Sequence, residues 1–235
     1  MDLLYNLLLG PKGWGWQIFL GALVTLGLAG CAGPLAFAGG LMLAVLKLSR
    51  HATVRAICEG YTTFFRGVPD LLALFIVYFG FQKILDYITA ALGLDRIDIN
   101  SFLASVIALS VVAVAYSSEI WVGALKAVPK GQREAAEALG LHRINAFFLV
   151  ILPQLVRIAL PGLSNVWMVL LKDTALVSAL GLFELMGTSR QAAVQTQKPL
   201  FFLGIVACAL YLVISLASEF VLSRLERRFN RGFSR

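Results

Sequence analysis

Apolar residues run in long stretches along this chain, separated by short polar tracts that hold most of the charge. Trp16 to Leu46 contains no charged residue and exceeds the roughly 20 residues a helix needs to cross a bilayer core. Pro34 in its middle removes a backbone donor and predicts a kink. Gly27, Gly30, Gly33, Gly39 and Gly40 predict a smooth face for close helix contact. Two short helices here would leave the backbone of a turn exposed to hydrocarbon, so one long helix is expected. Further spans are expected from Leu71 to Ile84 with an upstream extension through Pro69, and from Phe102 to Val122. A fourth is expected from Ala146 to Leu171, interrupted at Pro153 and Pro161, and a fifth from Leu200 to Leu222. The pattern predicts an all-α integral membrane protein of five transmembrane helices, with termini on opposite faces.

Composition agrees: 59% of the 235 residues are hydrophobic and 14% charged, whereas soluble domains run to about a quarter charged. A net charge of +7 could suggest nucleic acid, but the cations lie between apolar runs, where they specify topology. Segments 47–66, 126–143 and 224–235 carry thirteen of the twenty Lys and Arg residues, whereas Lys12, Lys83, Arg96, Arg190 and Lys198 fall on the other side. That asymmetry predicts an outside N-terminus, a cytoplasmic C-terminus and an outside loop at 85–100. Pro11 and Lys12 argue against a cleavable signal peptide, so the first apolar stretch is read as a retained helix. No internal repeat or linker breaks the chain, and 1–235 is read as one transmembrane domain.

Cys31, Cys58 and Cys208 lack metal spacing and are read as packing residues, and His51 and His142 as surface residues without metal-ligand company. Trp14, Trp16 and Trp121 are expected as interfacial anchors. The run from Arg224 is expected at an anionic lipid leaflet.

The tract between the third and fourth spans reads Val128-Pro-Lys-Gly-Gln-Arg-Glu-Ala-Ala-Glu-Ala-Leu-Gly140. On a helix, Ala135, Ala136, Leu139 and Gly140 would share a small apolar face suited to a partner's cleft, or to lying on headgroups. Glu134-Ala-Ala-Glu-Ala-Leu-Gly140, nine residues, then Val150-Ile-Leu-Pro153 resembles the EAA loop of binding-protein-dependent ABC import permeases, with Val150 in place of the usual Ile. Tyr61-Thr-Thr-Phe-Phe-Arg-Gly-Val-Pro-Asp70, Ala115-Tyr-Ser-Ser-Glu-Ile120 and Leu171-Lys-Asp-Thr-Ala-Leu-Val-Ser178 resemble the polar amino acid branch. Asp70 after the proline is most similar to subunits serving histidine, lysine, arginine and ornithine, or the opines; Ser117-Ser118 and Trp121-Val122 depart from the branch. The likeness extends from about residue 20 to Leu225-Glu-Arg-Arg228.

The resemblance implies a type I importer (MetI-like) fold in a bacterial inner membrane, with 131–143 as a coupling helix. Glu134, Ala135, Ala136, Leu139, Gly140 and Pro153 would then carry the coupling. ATP and magnesium would sit on two copies of a separate ATPase subunit, consistent with the lack of a phosphate loop here. A second, similar permease subunit, in a heterodimer rather than a homodimer, and a periplasmic substrate-binding protein complete the expected assembly. This chain would be no enzyme and bind no cofactor, metal or nucleic acid itself.

Ionisable groups inside spans are functional candidates. Asp70 could meet a cationic substrate or pair with Arg66, four residues earlier. Glu119 could line the pathway, or serve gating or packing. Lys172 and Asp173 point about 100° apart on a helix and would find different partners; they are candidates for the substrate carboxylate or for a structural pair. Glu184 is expected as a solvated loop acid or a binding-protein contact. A membrane-embedded protease or lipid-modifying enzyme would need paired catalytic groups within spans, and both histidines fall outside them. A non-transporting scaffold would not require the Glu134-to-Pro153 pattern.

Overall fold

A computed structural model describes Gly10 and residues 13–230. The expectations for Pro11, Lys12, Arg231 and Arg235 lie outside the described residues. All regular elements among the described residues are helical, and five are long and apolar enough to cross a membrane. In chain order they comprise α1 (Gly15–Lys47), α2 (Ala52–Gly67), α3 (Asp70–Ala91), α4 (Ser101–Ala127) and α5 (Lys130–Ala138). There follow α6 (Arg143–Ala146), a π segment (Phe147–Ile151), α7 (Leu152–Asp173) and a 3₁₀ segment (Thr174–Leu180). The chain ends with α8 (Leu185–Thr196), a second π segment (Leu200–Ala207) and α9 (Cys208–Asn230).

The α1–α4 pair is the most extensive contact in the fold, with α7 packed against both and α3 against α4. Small residues permit the approach. A Cβ at Gly39 would lie 2.7 Å from Val114 Cγ2, and one at Gly33 2.7 Å from the Trp167 ring. Gly30 faces open space, so only part of the glycine run serves packing. Polar side chains of α4 then bond to the α1 backbone across the contact. Ser117 Oγ donates to the Ala36 carbonyl at 2.7 Å, and Trp121 Nε1 to that of Phe37 at 2.9 Å. In apolar surroundings such bonds have no water to compete with them. Trp121 is therefore a buried tie between helices, which corrects its reading as an interfacial anchor; Trp16 is 67% exposed.

The fourth span is continuous from Arg143 to Leu180, correcting the expected interruption. Pro153 lies in the first turn of α7, where a missing N–H costs little, with one residue between it and the end of the π segment, whose wider turn changes the hydrogen-bond register. Pro161 and Pro34 sit inside unbroken α7 and α1.

α2 was not expected as a helix of its own. It buries Cys58 and Thr62 and half-buries Val54, Tyr61 and Phe65, an i, i+4, i+7 pattern, while Arg55, Glu59 and Arg66 face outward. Tyr61 Oη donates to the Val111 carbonyl of α4, and burial raises its hydroxyl pKa to about 12. Cys58 packs as expected, but Cys31 and Cys208 are exposed.

Candidate functional site

Pro69 is extended and delivers Asp70 as the first residue of α3, while Asp173 is the last of α7. These two helix ends meet α4 around a cleft of about 230 Å³. Tyr116 Oη donates to Asp70 Oδ1 at 3.1 Å. Asp173 and Asn165 supply further polar groups, and the walls are apolar, among them Leu74, Val112 and Leu170. Two carboxylates share this cleft, and no Lys or Arg among the described residues lines it. Charges interact more strongly among apolar walls than in water, so the arrangement favours a cationic guest.

Lys172 is exposed and is not among the lining residues, so the adjacent pair does split between environments. Tyr116 and Asn165 were not singled out from the sequence. Both are polar residues inside apolar spans, which is the signal that could have found them.

One turn along α4, Glu119 receives two cations on the same carboxylate oxygen. Lys47 Nζ, from the last residue of α1, lies 2.5 Å from Oε1, and Arg66 of α2 lies 3.6 Å from it. The Lys47 side chain is 8% exposed, Arg66 49% and Glu119 37%. Arg66 thus pairs with Glu119, and its expected pairing with Asp70 is replaced by the Tyr116 contact to that acid.

Glu184 is fully buried, correcting its reading as a solvated loop acid. Its carboxylate caps α8 by accepting from the Met186 and Gly187 amides, each at 2.8 Å. Thr25 of α1 donates to it at 3.2 Å and Tyr211 of α9 at 3.0 Å. Burial raises the Glu184 pKa, and these four hydrogen bonds oppose the rise, the two amides most strongly.

At the far end of α4, α5 covers Lys130–Ala138 rather than 131–143. The Leu141 amide bonds back to the Ala136 carbonyl and the Gly140 amide to that of Glu137, closing a Schellman motif around Gly140 at φ +80°. Gly140 therefore terminates the helix and does not extend its face. Ala136 is buried, with the 143–151 segment packed beside the helix, while Glu134, Ala135 and Leu139 are exposed, Leu139 at 83%. The four expected members of one face accordingly divide between inside and outside. Gln154 Nε2 reaches Gln132 Oε1 at 3.2 Å, tying α5 to α7, and Pro153 is exposed in the first α7 turn.

The model of the family described as binding-protein-dependent transport system inner membrane component matches residues 36–231. The histidine/lysine/arginine/ornithine transport system permease protein HisQ of Salmonella typhimurium is 42% identical, over 95% of this chain and 97% of that one. The arginine ABC transporter permease protein ArtQ of Escherichia coli K12 is 41% identical, over 88% and 92% respectively. A crystal structure of an amino acid ABC transporter with histidines superposes with a TM-score of 0.73 at 31% identity, covering 92% of this chain and 95% of that one.

Proposed function

We propose a substrate path from one premise: the chain belongs to the family of binding-protein-dependent transport system inner membrane components. It is a multi-pass inner membrane protein of permease type. The substrate is a basic amino acid or a related opine, and its cationic end is held in the cleft by Asp70 and Asp173. The observation that carries this reading is the cleft itself, with two carboxylates, a tyrosine hydroxyl and no lining cation among the described residues. The cargo for which those relatives are named, histidine, lysine, arginine and ornithine, supports it.

The N-terminus lies outside and the C-terminus in the cytoplasm, a reading supported by the thirteen-to-five distribution of Lys and Arg. Residues 1–235 act as one transmembrane domain that pairs with a second permease subunit of the same kind, in a heterodimer. A periplasmic binding protein delivers the substrate. ATP is hydrolysed, with magnesium, on two separate ATPase subunits. The exposed side of α5, with Glu134, Ala135 and Leu139, docks on one of them, and Ala136, Gly140 and Pro153 hold the docking helix in place.

Transport and hydrolysis measured together in reconstituted vesicles test the cleft. Asp70→Asn is expected to lower arginine uptake about tenfold, the scale of a lost charge-assisted hydrogen bond, and to leave basal ATP hydrolysis unchanged. Equal losses of both would assign Asp70 to assembly, and unchanged uptake would remove it from the substrate path.

A further inference from the structure

The cleft accounts for the cationic end of an amino acid and leaves its carboxylate without a partner. The node beside it carries the opposite imbalance. Glu119 holds one negative charge against two cations, and Lys47 is the nearer, at 2.5 Å, and the more deeply buried. Arg66 sits at 3.6 Å from the same oxygen, beyond hydrogen-bond length, with its side chain half exposed. A guanidinium offers five N–H donors in a planar fork that matches a carboxylate. No other carboxylate among the described residues forms an ion pair with Arg66.

Placement brings this surplus charge to the cleft. Tyr116 and Glu119 are three apart on α4 and share a face, about one helix turn from each other. Tyr116 touches Asp70 and Glu119 touches Arg66, so two parallel contacts run from α4 to the chain around Pro69. The Asp70 carboxylate and the Arg66 guanidinium are thus each held by an α4 side chain, from positions one turn apart, which suits a guest with two charged ends.

We propose that Arg66, steered by Glu119 and Lys47, takes the α-carboxylate of the amino acid whose cationic end lies between Asp70 and Asp173. The subsite rests on the cleft reading above and deepens it. Lys47 neutralises Glu119, which keeps the guanidinium positioned without consuming its charge.

Direct binding to the assembled transporter, purified in detergent, separates the two claims when arginine is compared with agmatine, its decarboxylated analogue. The wild-type complex is expected to bind arginine about tenfold or more tightly than agmatine. Arg66→Gln is expected to abolish that preference by weakening arginine alone, and the agmatine affinity of the same variant reports that the cleft is intact. Arg66→Lys, which keeps the charge and loses the fork, is expected to fall between. Equal wild-type affinity for the two ligands, or an arginine preference that survives Arg66→Gln, overturns the carboxylate subsite and leaves the cleft reading standing. A wild-type complex that binds neither ligand overturns the cleft reading and the subsite with it.

Discussion

Glu184 shows how much a single side chain can hold together. Its carboxylate satisfies two amides at the start of α8 and the hydroxyls of Thr25 and Tyr211, and those partners come from three separate elements. Removing the side chain leaves those donors unpaired in a buried site, at about 1–3 kcal/mol for each that finds no substitute. Glu184→Ala is therefore expected to lower thermal stability in detergent by several degrees and to reduce recovered protein. Glu184→Gln is expected to be milder, because the amide oxygen still accepts from the helix end. Indistinguishable melting of wild type and Glu184→Ala would contradict this role. Individual acids such as Asp70 and Asp173 were legible as charges near membrane depth, but their partners were not. Thr25 and Glu184 are 159 positions apart, and nothing local in either sequence neighbourhood announces the meeting. Arg66 illustrates the same limit: four-residue spacing suggested Asp70, whereas extended Val68 and Pro69 break the helix between them and leave Arg66 with Glu119.

At the scale of elements, hydropathy located the five spans because lipid demands long uninterrupted helices, and composition records that demand directly. It missed α2, whose buried stripe is narrow and interleaved with charge, so the stretch reads as a polar tract. The resemblance to the EAA loop, in turn, carried α5 past its true end. The glycine of the motif that resembles the EAA loop was read as part of a face, while its φ of +80° makes it the stop signal. Space around a Cβ at Gly140 is open, so substitutions there act through backbone strain. Gly140→Val is expected to strain the helix end by about 1–2 kcal/mol and Gly140→Asn by less, since asparagine tolerates the left-handed region. Hydrogen exchange at the Leu141 amide checks this, with faster exchange in Gly140→Val than in Gly140→Asn and a parallel order of lost uptake. Equal exchange in both variants would show that the turn does not depend on this conformation.

Across the whole molecule, the ties from α4 to α1 by Ser117 and Trp121, to α2 by Glu119 and to α3 by Tyr116 place α4 at the centre. The same helix leads through Val128 and Pro129 into α5, so the stretch from Tyr116 in mid-α4 to Lys130 has the cleft at one end and the start of α5 at the other. Displacement of either end has a short covalent route to the other, which is the geometry an importer needs to link hydrolysis to release. The central claim is that a cationic amino acid occupies the space between α3, α4 and α7. Thiol labelling tests it most directly, with Val169→Cys as the reporter, since Val169 lines the cleft and is 39% exposed. In the assembled transporter, with Cys31, Cys58 and Cys208 replaced by serine, arginine is expected to slow maleimide labelling at this position and leucine is not. Labelling that is indifferent to arginine, or slowed equally by leucine, would contradict the account.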